Sequence, residues 1–408
     1  MMRRESVATK PKVLQVLESA SAGAGKHVID LLLHLDLERF DVSIAYSPLR
    51  IDAMFQRGLD HARQRGVSVF VSPMVRSISP GRDLAALRQL VGLIREHQFD
   101  IVHGHSSKGG FLARTAARLS GMPVKTAYTP HAISISINRA YWVLEKIAAL
   151  STDAMLAVSL SEYEELRQYR LVPESRLHCI RAAIDVDQII AAAEAGRIDR
   201  TKLNVEPGTL LIGTVGRLAP QKDPLTLIRA AAVVRDRGVS AQFIWVGDGE
   251  LKSDAQQEIE RLGLGDTFQL LGYRSDVPQV LAGIDIFALA SVYESFGYVT
   301  CEAMALAKPV VASAVTGTTE LVQDGVTGLL FEPGNPQALA DRIVYLAGDP
   351  TLRQRLGAAG HLRAKKEFDL PRMISEMEAL YGEILHGRRA YSSPKSPGAV
   401  RSGKLPQT

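Results

Sequence analysis

Short apolar runs alternate with amphipathic stretches along most of the chain. In the first half, six runs have the length and composition of buried strands, and they cover residues 13–18, 41–47, 67–73, 100–106, 125–129 and 154–160. Stretches such as HVIDLLLHL and RDLAALRQLVGLIREHQ lie between them and repeat apolar residues at helical spacing. This alternation predicts parallel strands with helices on both faces of the sheet.

The same pattern then starts again in the second half. Further strands are predicted at 210–216, 242–247, 267–272, 286–290, 309–314 and 327–331, each followed by a helical stretch. Residues 184–208 carry no strand signal and separate the two sets. We therefore predict an α/β fold of two Rossmann-like, doubly wound parallel sheets that face each other across a cleft. Ligands of such sheets bind beyond the carboxyl ends of the strands.

The predicted domains follow from these boundaries. An N-terminal domain covers residues 12–190, a linker 191–208, and a second domain 209–368. An amphipathic helix at 369–387 is expected to pack back on the N-terminal domain. Residues 388–408 are rich in Ser, Pro, Gly and basic side chains, which predicts a disordered tail.

The composition narrows the protein class. The chain has 408 residues and two cysteines, Cys179 and Cys301, without a CxxC pair. A disulfide scaffold and a structural zinc site are therefore not expected, and a reducing cytoplasm fits. No apolar stretch approaches the roughly 18 residues of a membrane-spanning helix. The first residues lack the apolar core of a secretory signal.

Charge is distributed unevenly along the chain. The net charge is +4, but residues 1–200 carry +5, residues 201–385 carry −6 and residues 386–408 carry +5. A basic front half, with segments such as QRGLDHARQRG, suits a phosphate-bearing substrate or the anionic cytoplasmic face of an inner membrane. Basic side chains scattered over a solvated surface would explain the same net charges. Nucleic-acid binding is not expected, because no basic stripe with interleaved aromatics is present.

A first candidate site is the glycine cluster SASAGAGKHV, between the first predicted strand and helix. Gly23 and Gly25 allow a ligand close to the backbone, and a following helix N-terminus favours an anion. The cluster lacks the Walker pattern, because Ala20 and His27 stand at two of its required positions, and it lacks the GxGxxG spacing. A tight turn that needs small residues accounts for it equally well.

A second candidate is GRLAPQKD, which follows the first strand of the second domain. Arg217 and Lys222 flank a short loop at a strand's carboxyl end. Arg offers a planar fork and Lys a point charge, so together they suit a diphosphate. An unremarkable surface loop remains the alternative.

The third candidate is SVYESFGYVTCEAMALAKPVVAS. Glu294 lies on a predicted loop, and Glu302 lies within the helix that follows it. The amides of Phe296, Gly297 and Tyr298 form the start of that helix, where the macrodipole is positive. Two carboxylates around a positive helix end suit a ligand with hydroxyls at both ends and negative charge between them, as in a nucleotide-sugar. A glycosidase carboxylate pair is the rival interpretation and fits the predicted nucleotide-type cleft less well.

Taken in order, GRLAPQKD, VGDGE, LGYRSDV, YESFGYVTCEAMA and ELVQDGVTGLLFEPGNPQALA resemble the family 4 retaining glycosyltransferases of the GT-B fold. SAGAGKHVIDLL, HGHSSKGGFLAR and YTPHAIS in the front half are similar to the branch that builds bacterial exopolysaccharides. The resemblance covers residues 12–387.

The resemblance implies roles for the donor-side residues. Arg217 and Lys222 would hold the donor diphosphate, and Glu302 would bind the ribose hydroxyls. Glu294, with the amides of residues 296–298, would bind the transferred sugar. Because cations and a helix start take the leaving-group charge, the family implies no metal and no cofactor beyond the nucleotide-sugar donor.

The resemblance also implies roles elsewhere. The Gly23–Gly25 loop would close against the diphosphate, and His131 would lie beside the donor sugar. With Arg217, Lys222 and Glu294, His131 completes the predicted catalytic set. The nucleobase would lie along GYRSDV, at Gly272, Tyr273, Arg274 and Val277.

The acceptor side is less specific. His105 and Lys108 are candidates for acceptor contacts, although these residues and His103 fit an ordinary structural role as well. The acceptor is expected to be a glycan or a lipid-linked saccharide. The sequence does not determine the nucleotide, the hexose, the linkage or the oligomeric state.

The chain departs from the family pattern at three places. Thr316 replaces the first of two glycines, which leaves Gly317 alone ahead of Glu320. Ala132 and Ala307 replace two further frequent glycines. These changes concern details of the sugar pocket.

The predicted function is therefore retaining hexosyl transfer from a nucleoside-diphosphate sugar, in exopolysaccharide or other cell-surface polysaccharide synthesis. Two alternatives use the same residues. A GT-B sugar-nucleotide epimerase would release free sugar, and a non-catalytic partner of a polysaccharide-assembly complex would hold a nucleotide without turnover.

Overall fold

The computed structural model describes residues 10–20, 22–131, 139–203 and 205–387. The chain forms two compact units. The first runs up to Arg181 and takes up the chain again from Ser375, and the second is Ala182–Ile374. Each unit is built around one parallel sheet.

The sheet of the first unit has seven strands in the order β3-β2-β1-β4-β5-β6-β7. All of its pairings are parallel. Strand order reverses at β1 and β4, as in a doubly wound Rossmann-like sheet. Strands β1 to β7 are Lys12–Leu17, Asp41–Tyr46, Ser68–Val71, Ile101–His105, Lys125–Thr129, Ala154–Ala157 and Leu177–Cys179.

The sheet of the second unit has six strands in the order β10-β9-β8-β11-β12-β13, again all parallel. Its reversal point lies between β8 and β11. Strands β8 to β13 are Leu210–Val215, Ala241–Val246, Phe268–Gly272, Ile286–Leu289, Val310–Ser313 and Leu329–Phe331.

Helices connect the strands in both units. Helices α1 to α7 are Ala22–His34, Ala53–Gln64, Pro80–His97, Ser107–Ser120, Arg139–Ala149, Leu160–Tyr169 and Val186–Glu194. Helices α8 to α15 are Pro224–Asp236, Lys252–Arg261, Val277–Gly283, Tyr298–Ala305, Thr316–Leu321, Pro336–Gly348, Pro350–Glu367 and Leu370–His386.

Each sheet is buried between its helices, which explains why most of its strands are continuous apolar runs rather than alternating ones. Leu14 and Val16 of β1 are fully buried and pack with Leu90 and Ile94 of α3. In the second unit, Trp245 of β9 is fully buried and packs with Ile228 of α8. These cores leave the strand ends, and not the sheet faces, to carry chemistry.

The predicted fold class is confirmed, with differences in detail. Strand β7 was not predicted, because its three residues are too few to show a periodicity. The first helix begins at Ala22, so Gly23 and Gly25 lie in its first turn and not on a loop before it. The described residues of 184–208 contain no strand, but they do contain helix α7, which packs on α10 and α11.

Helix α15 starts in the second unit, and its residues from Ser375 belong to the first. Within the first unit, Glu378 accepts a hydrogen bond from the amide of Asp36 at 2.9 Å and pairs with Arg39. The predicted domain boundaries stay a prediction, and the predicted tail at 388–408 lies outside the described residues. None of the described helices is long and apolar enough to span a membrane.

Candidate active site

Lys222 lies in the connection between strand β8 and helix α8. A short 3-10 turn, Pro220–Lys222, follows the strand. Asp223 caps α8, since its carboxylate accepts a hydrogen bond from the amide of Thr226 at 3.3 Å, and Pro224 occupies the first helical position. The capped turn therefore holds Lys222 at the carboxyl edge of the sheet.

The loop that carries Arg217 rests directly on the backbone after β9. The amide of Leu218 donates to the carbonyl of Asp248 at 3.1 Å, and the amide of Leu251 donates to the carbonyl of Leu218 at 2.8 Å. A Cβ atom on Gly249 would overlap that carbonyl of Leu218, and one on Gly247 would overlap the carbonyl of Gly216. This close approach explains the two glycines of VGDGE.

Arg217 forms an ion pair that the sequence reasoning did not foresee. Its Nη2 lies 2.6 Å from Oε2 of Glu250, and both side chains are more than half exposed. Exposed pairs of this kind contribute little to stability. The guanidinium can therefore leave Glu250 for a stronger anion at small cost.

Lys222 is bound more firmly. Its ammonium pairs with Glu294, and the two side chains are 15% and 6% exposed. The hydroxyl of Ser291 donates to the same carboxylate oxygen at 2.6 Å. Glu294 follows strand β11, so the carboxyl ends of β8 and β11, which are neighbours in the sheet, bring these two predicted site residues together.

A second link joins the same two loops. The side-chain amide of Gln221 donates to the carbonyl of Tyr293 at 3.1 Å, and the amide of Val292 donates to the carbonyl of Gln221 at 2.8 Å. No motif role pointed to Gln221, although its place beside Lys222 was a signal. The two loops are therefore joined by hydrogen bonds as well as by the ion pair.

Helix α11 begins beside Glu294. Gly297 caps it with φ 81°, a left-handed conformation that favours glycine. Phe296 is buried, Tyr298 is the first helical residue, and Glu302 lies half-buried in the second turn. The first amides of a helix have no intrahelical acceptor, so this end offers donors and a positive dipole to an anion.

Gly317 supports this arrangement from α12. Its amide donates to the carbonyl of Glu294 at 3.0 Å, and a Cβ atom there would lie 2.6 Å from that oxygen. Thr316, which replaces the other glycine of the family pattern, is the first residue of α12. Of the two positions where the family pattern has glycine, only position 317 therefore requires it in this chain.

The predicted nucleobase segment follows β10. Gly272 has φ 66°, and its carbonyl accepts from the amide of Gly247 at 2.8 Å. Tyr273 is 70% exposed. Arg274 forms two hydrogen bonds with Asp276, at 2.8 and 2.6 Å, which lower the pKa of that carboxyl. Val277 is the first residue of α10. In this segment, the exposed ring of Tyr273 is the surface that suits a base.

The first unit contains a cavity of about 920 Å³. Its lining is more apolar than polar and includes Phe111, Leu112, Tyr128, Lys108 and His131. Lys108 pairs with Asp83 at 2.6 Å, so this predicted acceptor-side cation is already engaged. An amphipathic lining of this size accommodates a ligand with both an apolar and a polar part.

Three histidines form a cluster, of which His131 lines this cavity. His131 follows β5 with φ 57°, and its Nε2 lies 3.1 Å from Nδ1 of His105, the last residue of β4. His27 of α1 packs on both rings, with centroids 4.9 and 5.8 Å away. One ring nitrogen of each lies within 4.8 Å of the others. The sequence reasoning assigned His27 no role.

The glycines ahead of His27 have a packing role. A Cβ atom on Gly25 would lie 2.6 Å from the carbonyl oxygen of Ala20. Ala20 in turn donates its amide to the carbonyl of Arg50 at 3.0 Å. The close approach of α1 to the end of β1 therefore requires Gly25, whatever ligand it meets. Ala132, next to His131, lies outside the described residues.

Sequence comparisons match both units to glycosyltransferases. Residues 197–363 match the profile of "Glycosyl transferases group 1", and residues 21–188 match that of "Glycosyltransferase Family 4". The UDP-Gal:alpha-D-GlcNAc-diphosphoundecaprenol alpha-1,3-galactosyltransferase of Escherichia coli is 30% identical over 292 residues, which are 69% of this chain and 75% of that protein. The chain belongs to glycosyltransferase family 4.

Other relatives of this glycosyltransferase are similar at lower identity. The putative glycosyltransferase EpsD of Bacillus subtilis is 28% identical over 78% of this chain and 85% of its own. The crystal structure of Anabaena Alr3699/HepE in complex with UDP superposes with a TM-score of 0.76, at 24% identity, over 91% of this chain and 100% of that one. These structural matches confirm the GT-B fold that the motifs implied.

In this glycosyltransferase the individual residue roles stay predictions. The structure brings Lys222 and Glu294 together, and it places Glu302 on the adjoining helix. Arg217 instead forms an ion pair with Glu250, which had no predicted role beyond its place in the motif VGDGE. His131 and His105 are neighbours, and the side chain of Lys108 lies on the lining of the same cavity.

Proposed function

We propose that this glycosyltransferase moves a hexosyl unit from a nucleoside-diphosphate sugar to a glycan or lipid-linked saccharide, with retention at the anomeric carbon, in exopolysaccharide or other cell-surface polysaccharide synthesis. The observation that carries this proposal is the buried pair of Lys222 and Glu294 beside the start of α11. A cation, a carboxylate and a helix N-terminus in one place suit a ligand that joins a diphosphate to a sugar.

The proposed chemistry exchanges one bond to the anomeric carbon for another on the same face. The bond to the diphosphate oxygen breaks, the bond to the acceptor oxygen forms, and the acceptor proton passes to the departing diphosphate. Lys222, Arg217 and the amides at the start of α11 offset the charge that develops on the leaving group. Support of this kind is commonly the largest catalytic contribution. The reaction needs no metal bridging the diphosphate and no further cofactor.

The remaining donor contacts follow from the same placement. Glu294 accepts hydrogen bonds from the sugar hydroxyls, and Glu302, one helical turn into α11, accepts them from the ribose. Tyr273 offers its exposed ring to the base. The family resemblance assigns His131 to the donor sugar and Gly23 to the diphosphate. Support for a UDP-sugar comes from the E. coli relative, named for UDP-Gal, and from the UDP and UDP-glucose complexes of Alr3699/HepE.

The acceptor is proposed to occupy the cavity of the first unit. Its apolar lining suits the lipid part of a lipid-linked saccharide, while Lys108 and His131 lie on its polar side and His105 contacts His131. The diphosphoundecaprenol acceptor named for the E. coli relative supports this substrate class.

The decisive experiment is a transfer assay after a donor screen. Thermal shifts with nucleoside diphosphates and their sugars identify the donor, since a ligand at 100-fold its Kd adds about 2.7 kcal/mol of stability. NMR of the product must show the donor's anomeric configuration. Added Mg²⁺ or Mn²⁺ must leave the rate unchanged. An inverted product, or release of an altered free sugar from donor alone, contradicts the proposal.

We also propose peripheral binding to an anionic membrane surface. Helix α2 buries Phe55 and Leu59 and exposes Arg57 and Arg63. On α5, Ile147 is 58% exposed. Basic and apolar side chains on one unit suit a lipid headgroup layer. Flotation with anionic and neutral vesicles tests this, and equal recovery on both contradicts it.

A further inference from the structure

His27 has no described hydrogen-bond partner for either ring nitrogen, although the side chain is buried. A buried imidazole without a partner loses the hydrogen bonds that it made to water, and such groups are rare in folded proteins. Its ring contacts those of His105 and His131 at tilted and edge-on angles, and no carboxylate of the described residues takes part in the cluster. Among the described residues, no atom therefore satisfies the ring nitrogens of His27.

The tautomer of His105 follows from its second contact. Gln15 donates its side-chain N–H to the hydroxyl of Tyr381 at 2.9 Å, so the carbonyl oxygen of Gln15 is the atom that faces His105. That oxygen lies 2.8 Å from Nε2 of His105 and must accept its N–H. The Nδ1 atom of His105 then carries a lone pair, and it points at His131. A ligating histidine is commonly oriented in this way, through its other nitrogen.

His103, on the same strand, is engaged differently. Its Nδ1 lies 2.8 Å from the hydroxyl of Tyr381, and its Nε2 lies 2.8 Å from Oγ1 of Thr129. Both ring nitrogens are thus taken. In this respect His103 differs from the three converging histidines, His27, His105 and His131.

We propose that His27, His105 and His131 form a binding site for one divalent transition-metal ion, with Zn²⁺ as the expected occupant. One ring nitrogen of each lies within 4.8 Å of the others. Two imidazole nitrogens on a tetrahedral Zn²⁺, with bonds of about 2.0–2.1 Å, lie about 3.3 Å apart. The 3.1 Å between Nδ1 of His105 and Nε2 of His131 is close to that separation.

The chemistry of the ligands selects the kind of metal. Three neutral imidazoles suit Zn²⁺, Co²⁺, Ni²⁺ or Cu²⁺, whereas Mg²⁺ and Ca²⁺ prefer oxygen ligands. Burial lowers the pKa of His27 to about 4 and holds the pKa of His105 and His131 well below the ordinary value, so all three stay neutral and able to ligate near pH 7. Three protein ligands leave a fourth position, and His131 lines the cavity from which water or a ligand oxygen reaches it.

This inference does not depend on the transfer reaction. His131 also has a proposed role at the donor sugar, but the metal site is tested by metal binding and not by transfer, so the two proposals can fail separately. The readout is metal binding by the full chain, purified without an affinity tag and stripped with a chelator. Competition with a chromophoric chelator gives the stoichiometry and Kd for Zn²⁺. The absorption spectrum of the Co²⁺ form reports tetrahedral coordination.

The wild-type protein is expected to bind one Zn²⁺ and to give a tetrahedral Co²⁺ spectrum. His27→Ala is expected to abolish this binding, and Gln15→Leu to weaken it by about 10–100-fold through the orientation of His105. His61→Ala is the matched control, because His61 is exposed on α2, and it should bind Zn²⁺ as the wild type does.

Three results overturn the site. They are no stoichiometric uptake by the wild type, unchanged binding by a folded His27→Ala variant, or an equal loss in His61→Ala. Circular dichroism checks that each variant folds. If His27→Ala does not fold, anomalous scattering at the zinc edge from wild-type crystals decides, because the ion must lie among the three rings.

Discussion

The ammonium of Lys222 contacts the carboxylate of Glu294, 72 positions later in the chain, in a site where both side chains are largely buried. Each neutralises the other while no donor is bound. In the proposed donor site, a diphosphate beside Glu294 adds negative charge next to a carboxylate, so Lys222 must serve both anions at once. The proposal therefore predicts that the pair links binding of the sugar to binding of the diphosphate.

Lys222→Ala is expected to lower the transfer rate by about 10²–10³, because one cation facing the leaving diphosphate is lost. It also leaves Glu294 buried without its cation, which destabilises the second unit. Transfer kinetics and thermal unfolding measure the two effects. Lys252→Ala removes an exposed lysine paired with Asp248 in the same unit and should change neither. Equal losses in both variants would argue against a donor role for Lys222.

Glu294→Gln tests binding of the sugar separately from binding of the diphosphate. The amide has the size of the carboxylate but no charge, so repulsion of the diphosphate falls while hydrogen bonding to the sugar weakens. We expect affinity for the nucleoside diphosphate to be kept or increased, and the additional affinity for the intact nucleotide-sugar to be lost. Calorimetric titration with both ligands measures this. An equal drop for both ligands is inconsistent with a sugar contact.

Much of the fold and part of the site could be predicted because they depend on local sequence. Continuous apolar runs separated by amphipathic stretches predicted the parallel sheets. The resemblance assigned Lys222 and Glu294 to one donor, but their direct contact was not predicted. It follows from the strand order of the structure, since the carboxyl ends of the neighbouring strands β8 and β11 share one edge.

The remaining features depend on side-chain conformation or on distant contacts. The pairing of Arg217 with Glu250 is set by the rotamers of two exposed side chains, which no motif encodes. Tyr381 reaches His103 across 278 positions, by packing of the last described helix. His27 lies in the glycine cluster that was considered for phosphate binding. Its neighbours are far away in the sequence, because His105 ends strand β4 and His131 follows strand β5.

Gly249→Ala tests the support of the Arg217 loop. The new methyl would overlap the carbonyl of Leu218, so the backbone that carries Arg217 must shift. We expect a lower unfolding temperature and weaker binding of the nucleoside diphosphate. Gly265→Ala is the matched control, because nothing lies within 4 Å of its Cβ position and its φ is not positive. If Gly249→Ala binds the diphosphate as Gly265→Ala does, the loop does not position Arg217 for the donor.

A buried ion pair ties α5 to the core of the first unit. Arg114 is fully buried, and its Nη2 lies 2.7 Å from Oε2 of Glu145, whose side chain is 9% exposed. Its guanidinium also lies 3.8 Å from the ring centroid of Tyr128, and its Nε donates to the carbonyl of Gly110 at 2.9 Å. Arg114 is thus held in place by groups other than Glu145, so loss of the carboxylate leaves its charge buried.

Glu145→Ala is expected to lower the free energy of unfolding of the first unit by about 3–5 kcal/mol, because it leaves the Arg114 charge without its counter-ion in a buried site. The double variant Arg114→Met/Glu145→Leu removes both charges at similar volume and should recover most of that loss. Asp60→Ala breaks an exposed pair and should change the stability by less than about 0.5 kcal/mol. Urea unfolding followed by Trp142 fluorescence in a Trp245→Phe background measures the first unit separately from the second. A loss in Glu145→Ala no larger than in Asp60→Ala would show that the buried charge is solvated.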